Sequence, residues 1–135
     1  MRARAATPQS KLSEVLLKRF ITKKTAATPQ RISTLQEPLV VDGSTDAIGD
    51  WLKEFLLPTE TSLPNERSAY TSLTMPVLLI WGEGDTVTPL PQAWHIAGLL
   101  SHAQLVVLKE LGHIPQIEDP QAFTTTLLAF LSSGG

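Results

Sequence analysis

A carboxylate and an imidazole each follow an apolar run in the second half of this chain. Asp85 comes shortly after Val77–Trp81, and His113 comes shortly after Leu105–Leu108. A carboxylate beside a histidine holds the imidazole in one tautomer and stabilises the imidazolium that forms when the ring takes a proton. Because histidine titrates near neutral pH, these two residue types together are suited to general acid–base chemistry.

The elements around these residues predict how they could meet. Both apolar runs have the length and composition of strands buried on both faces of a parallel sheet. Residues 90–100 between them show helical spacing, and a strand, a crossover helix and a second strand form a right-handed parallel unit. Ligands bind at the carboxyl ends of such strands, so we expect Asp85 and His113 on one rim of the sheet.

A last helix is predicted after the second loop. Asp119 followed by Pro120 is a cap residue with proline at the first helical position. Its apolar residues recur at helical spacing, and we expect them to form a buried stripe: Phe123, Leu127, Phe130 and Leu131. The second half of the chain therefore has the order β-α-β-α.

The first half predicts helices. Apolar residues in Leu12–Ile21 recur at helical spacing, and Thr28 followed by Pro29 is a helix start signal. A third stripe runs from Ile48 to Phe55 after Ser44, which we interpret as an N-cap. The polar stretch Pro58–Ala69 is interpreted as a linker.

We accordingly predict two parts, a helical segment with its linker in residues 1–70 and a β-α-β-α unit in residues 71–135. In that second part the sequence resembles the α/β-hydrolase superfamily. The matching stretches are Pro76–Asp85, Leu105–His113 and Ile117–Pro120.

The resemblance implies a fold and two catalytic roles. In that family the acid lies in a Gly-x-x-Asp loop after the seventh strand and the general base in a Gly-His loop after the eighth. His113 follows Asp85 by 28 residues, which agrees with the family order of nucleophile, acid and histidine. The implied fold is α/β, the C-terminal part of an α/β-hydrolase with a helical cap before it. Asp85 would orient His113, the general base and acid.

The nucleophile of the family is not found in this sequence. It lies in a Gly-x-Ser-x-Gly elbow, with an oxyanion hole earlier in the chain. The nearest match, Gly43-Ser44-Thr45-Asp46, lacks the second glycine and a preceding β-run. We therefore expect a fragment that needs the missing N-terminal half of the fold for a complete site. Alone it should be inactive and, because its strand edges are unpaired, poorly soluble, loosely packed or oligomeric.

The resemblance implies a hydrolase of small ester-like molecules that uses a Ser-His-Asp triad, with no metal and no organic cofactor. Several alternatives stay open at this point. An aspartate nucleophile would give a dehalogenase or epoxide hydrolase, and cofactor-free oxygenases and C–C hydrolases share the fold. The chain could also be a non-catalytic remnant or an interaction module.

Other titratable side chains have simpler interpretations. Glu83 lies two residues before Asp85 and could be the acid instead, but the family pattern favours Asp85. Glu118 and Asp119 are interpreted as negative charges that stabilise the positive end of the last helix. His95 and His102 are seven residues apart, too far for a typical zinc pair on one helix, and are interpreted as surface or structural residues.

Composition excludes several classes of protein. Hydrophobic residues make up 42% and charged residues 18% of the chain, and its net charge is −2. Nothing in this balance predicts a nucleic-acid partner. There is no cysteine, which excludes disulfides and thiolate catalysis. No apolar run is long enough for a transmembrane segment, and no signal peptide is visible, so a cytoplasmic location is expected. The small-molecule substrate is what the family resemblance implies.

Overall fold

The first half of the chain is helical in the computed structural model, which describes residues 8–57 and 67–134. Two short 3-10 turns, Lys24–Ala26 and Glu37–Val40, connect its helices. The helices are α1 (Pro8–Phe20), α2 (Pro29–Gln36), α3 (Ser44–Leu56) and α4 (Arg67–Thr71). Within the described ranges, no helix is long and apolar enough to cross a membrane.

The start of α2 follows its sequence signal, whereas the start of α3 departs from it. The Thr28 hydroxyl accepts the Arg31 amide at 3.3 Å, and Pro29 opens α2, as predicted. The interpretation of Ser44 as an N-cap is wrong. Gly43 takes that position with φ +81°, a left-handed conformation that glycine adopts at little cost, so the helix begins with Ser44 itself.

The second half forms the predicted parallel unit. Strand β1 (Val77–Gly82) pairs with β2 (Ala103–Leu108), and helix α5 (Leu90–Leu99) connects them. Each residue of β1 pairs in order with one of β2, so that Gly82 and Leu108 end the ladder side by side. Two helices follow, α6 (Pro115–Glu118), for which we predicted no element, and α7 (Pro120–Ser132).

The two strands are not buried on both faces, although their apolar composition is typical of strands that are. Apart from Gly82, the residues of both strands are half-buried or exposed, because the described part of the chain forms a sheet of two strands only. The predicted buried stripe on α7 is also wrong, since Leu127 is 36% and Leu131 62% exposed. A two-stranded sheet offers α7 too little surface to bury both. Whether the chain associates through these faces stays a prediction.

The main buried cluster joins the two halves of the chain. Leu17, Ile21 and Ala26 form its centre. Ile114 and Ile117, which follow the predicted histidine, pack against that centre.

The division at residue 70 stays a prediction. Most of the predicted linker lies outside the described residues, but its last part is wrong, because residues 67–69 belong to α4.

Candidate active site

Two glycines allow the loops after β1 and β2 to touch. A Cβ on Gly82 would lie 2.1 Å from the Gly112 carbonyl oxygen, and one on Gly112 would lie 2.7 Å from the Phe20 carbonyl oxygen. Real Cβ atoms do not approach backbone this closely, so both positions need glycine. The loops are also joined by the Gly84 amide, which donates to the Leu111 carbonyl at 2.8 Å.

Asp85 is buried and hydrogen-bonded on both carboxylate oxygens. Its Oδ1 accepts the backbone amides of Val87 and Thr88, each at 2.8 Å. Its Oδ2 accepts the Thr88 hydroxyl at 2.6 Å and lies 2.9 Å from His113 Nδ1. The residue is only 8% exposed, so these donors take the place of water around the carboxylate.

The charge state of Asp85 follows from these partners. Burial by itself raises the pKa of this carboxyl group because it removes water from the ionised form. The hydrogen bonds from the Thr88 hydroxyl and amide, from His113 and from the Val87 amide act in the opposite direction. Their sum is larger, so the pKa of Asp85 lies below its ordinary value and the side chain is an anion at neutral pH.

His113 is held through its ring and through its backbone amide. Its Nδ1 contacts Asp85 and lies 3.2 Å from the Thr88 oxygen. Its backbone amide donates to the Phe20 carbonyl at 2.8 Å, and the Phe20 ring meets the imidazole edge-on at 5.8 Å between centroids. Among the described residues, Nε2 has no hydrogen-bond partner, which leaves this nitrogen to exchange a proton.

The structure therefore brings Asp85 and His113 together, as their strand positions predict. Sequence reasoning missed Thr88, although a threonine three residues after an aspartate in a loop is a recognisable turn pattern. It also missed Trp81, whose Nε1 donates to the Thr88 carbonyl at 2.8 Å and fixes this loop on β1. Phe20 gave no local signal, because its contact with His113 joins distant parts of the chain.

The remaining candidates lie elsewhere. Glu83 is exposed, and its Oε2 accepts the Glu110 amide at 3.3 Å. The Ser44 hydroxyl donates to the Pro38 carbonyl at 2.7 Å. His95 and His102 are exposed, and the described residues include no group of three or more side chains that could hold a metal ion.

The two acidic residues before α7 have different roles. Asp119 caps the helix as predicted, since its Oδ1 accepts the Ala122 amide at 3.0 Å. That bond is the main reason why the pKa of Asp119 is lowered. The same interpretation is wrong for Glu118, which is buried and accepts the amides of Thr22, Lys23 and Gly112. Its carboxylate therefore joins the turn after α1 to the histidine loop.

The parallel pair of β1 and β2 thus carries a carboxylate–histidine contact at its carboxyl end. The profile of the α/β hydrolase fold family matches residues 4–120, and the chain belongs to this family.

Individual relatives cover parts of the chain. It is 43% identical over 58 residues to RutD of Pseudomonas savastanoi pv. phaseolicola, whose name describes a carbamate hydrolase, covering 43% of this chain and 22% of RutD. It is 29% identical over 99 residues to BpoC of Mycobacterium tuberculosis H37Rv, whose name describes a non-heme bromoperoxidase. That alignment covers 64% of this chain and 38% of BpoC. The structure of CumD, a meta-cleavage product hydrolase of Pseudomonas fluorescens IP01, superposes with a TM-score of 0.72 at 22% identity, covering 96% of this chain and 47% of CumD.

The close approach of the loops predicts that Gly112→Ala destabilises the chain. The added methyl group would collide with the Phe20 carbonyl, the Glu118 carboxylate and the Thr22 amide. We expect a loss of roughly 1–3 kcal/mol in the free energy of unfolding, measured by chemical denaturation. Gly98→Ala is the matched control, because it lies in α5 with nothing within 4 Å and should stabilise by about 0.5–1 kcal/mol. Equal stability of the two variants would contradict the account.

The ionised state of Asp85 predicts a pH-dependent effect of Asp85→Asn. A carboxyl group whose pKa is lower in the folded state stabilises the fold fully above its unfolded pKa of about 4, and this contribution is lost as the pH falls through the folded pKa. We expect the variant to be less stable by about 1–3 kcal/mol at neutral pH, with the difference shrinking in acid. Unfolding curves from pH 7 downwards measure this.

The exposed Asp50, paired with Lys53 on α3, provides the control for that experiment. Asp50→Asn should change stability little at any of these pH values. A difference between the wild type and Asp85→Asn that is the same in acid as at neutral pH would contradict an ionised, stabilising Asp85.

Proposed function

We propose that Asp85 and His113 are the acid and the general base of a hydrolase that acts on small ester-like molecules. The observation that supports this most is the 2.9 Å contact between Asp85 Oδ2 and His113 Nδ1, with Nε2 left unpaired among the described residues. Membership of the α/β hydrolase fold family supports it further. The name of RutD describes hydrolysis of a carbamate, which has an acyl carbonyl like an ester.

The proposed reaction has two halves. A serine hydroxyl attacks the substrate carbonyl while His113 Nε2 takes its proton, and the resulting imidazolium is stabilised by the Asp85 anion. The imidazolium then gives that proton to the leaving group, which departs and leaves an acyl-serine. Water attacks the acyl-serine with the same help from His113, releasing the acid and restoring the serine.

We assign the serine and the oxyanion donors to a part of the fold outside this chain. The alignments cover 38% of BpoC and 47% of CumD, so the chain spans less than half the length of these proteins. Ser44, whose surroundings are nearest to the nucleophile motif, donates its hydroxyl to the Pro38 carbonyl.

An apolar groove supports this assignment. An open cavity of about 440 Å³ lies between β1 and α7, lined by Leu78, Ile80, Phe123, Leu127, Phe130 and Leu131. Its strand residues come from β1 and not from β2, so it opens beside the β1 edge. We propose that a further strand and its packing side chains, contributed by the rest of the hydrolase fold, cover this groove. Such an apolar surface is otherwise costly to expose to water.

The proposal is tested with a fusion protein in which the first half of RutD precedes this chain. We expect the fusion to hydrolyse p-nitrophenyl acetate, and His113→Ala to lower kcat by about 10²–10⁴-fold, the usual contribution of a general base. The chain alone should show no turnover above buffer.

Different failures of this experiment have different meanings. Equal turnover by the fusion and its His113→Ala variant would contradict the role of His113. Turnover by the chain alone, abolished by His113→Ala, would contradict an external nucleophile. A folded fusion that is inactive, when RutD itself is active under the same conditions, would favour the non-catalytic remnant. The same substitution at two exposed histidines, His95→Ala and His102→Ala, should leave the turnover of the fusion unchanged.

A further inference from the structure

A second buried carboxylate lies beside the histidine loop and has no part in the proton transfer proposed above. Glu118 is 7% exposed, and its side chain lies between the loop after β2 and the turn that follows α1. Buried carboxylates are rare unless they are fully hydrogen-bonded, so the partners of Glu118 indicate what it does.

Both oxygens of Glu118 accept backbone amides. Oε2 accepts the consecutive amides of Thr22 and Lys23 at 2.7 and 2.8 Å, and Oε1 accepts the Gly112 amide at 2.6 Å. Hydrogen bonds to an ionised acceptor are short and about twice as strong as neutral ones. No ion pair to Glu118 is found among the described residues, so these three amides are what the structure provides to balance its charge.

These three bonds join segments that are about 90 residues apart in the chain. Thr22 and Lys23 follow Phe20, which contacts His113 through its carbonyl group and its ring. Gly112 directly precedes His113. The Glu118 carboxylate therefore binds two segments at once. One is the Thr22–Lys23 turn next to Phe20, which packs against the imidazole, and the other is the Gly112 backbone, which precedes His113.

Removing this carboxylate has a defined consequence. Three buried or half-buried amides would lose their acceptor. The His113–Phe20 bond would then be the backbone hydrogen bond that still joins the two segments, beside the packing of Ile114 and Ile117 and the Lys23–Asp119 ion pair. The Asp85–His113 distance depends on where the His113 backbone lies, because Asp85 is fixed independently by Val87 and Thr88. Freedom in the Gly112–His113 backbone would therefore be transmitted to the imidazole.

We propose that Glu118 is a positioning residue that fixes His113 against Asp85 by clasping the Thr22–Lys23 turn to the Gly112 amide. Its value for catalysis rests on the proposed function of His113, because positioning matters only if this imidazole moves a proton. The clasp itself is a property of this chain and is measurable without turnover.

The test compares Glu118→Gln with Asp119→Asn by NMR, each variant made in the full 135-residue chain. A glutamine has one acceptor oxygen and cannot serve both sides. Asp119→Asn keeps a side-chain oxygen that can cap α7 and removes only the neighbouring negative charge, which pairs with the Lys23 ammonium at 3.4 Å and does not touch the histidine loop. We expect the Hδ1 resonance of His113 to be retained in Asp119→Asn and lost or broadened in Glu118→Gln, with the amide spectrum still dispersed. Glu118→Gln with an unchanged His113 Hδ1 resonance would overturn the proposal.

Hydrogen exchange of the wild type provides a second measurement that does not depend on a variant folding. If one carboxylate holds the three amides, those of Thr22, Lys23 and Gly112 should open together with equal protection. Independent opening of Gly112, with protection differing by about tenfold or more from that of Thr22 and Lys23, would overturn the clasp.

These results are distinguishable from those of the fusion protein. An inactive fusion leaves the resonance and exchange measurements unaffected and removes only the catalytic meaning of the clasp. In an active fusion, Glu118→Gln should lower kcat with little change in KM, while Asp119→Asn should change neither. A lower kcat in both variants to the same extent would show a general loss of stability and overturn a specific positioning role.

Discussion

The contact between the two strand-end loops is the constraint on which the site depends. The parallel register ends β1 and β2 side by side, and the missing side chains of Gly82 and Gly112 let the following loops meet backbone to backbone. Only at this separation can a carboxylate from one loop reach an imidazole from the other. The Gly-x-x-Asp and Gly-His patterns therefore record a steric requirement as well as a chemical one.

Two buried carboxylates lie near His113 and contact different parts of its surroundings. Asp85 bonds the ring at Nδ1 and is itself fixed by the Thr88 hydroxyl and by amides of its own loop. Within the described ranges, the hydrogen-bond partners of Glu118 are backbone amides, one of them in the histidine loop. Both are surrounded by donors in place of water, which is how a protein keeps a charge below its surface.

The sequence predicts the features that have a short-range pattern. The strands, the crossover helix, the Asp119 cap and the meeting of Asp85 with His113 follow from periodicity, cap residues and strand order. The roles of Phe20 and Glu118 were not predictable this way, because their contacts join residues far apart in the chain and depend on packing. The buried stripe expected on α7 was wrong for a related reason, since periodicity shows which face is apolar and not whether anything covers it.

The central claim is that Asp85 fixes His113 with its proton on Nδ1 and Nε2 free to accept another. The most direct test is the imidazole nitrogen spectrum of His113 in the wild-type chain at a pH where the ring is neutral. The account predicts a protonated Nδ1 and an unprotonated Nε2, and a mixture of tautomers in Asp85→Asn. A ring protonated mainly on Nε2 in the wild type would contradict it.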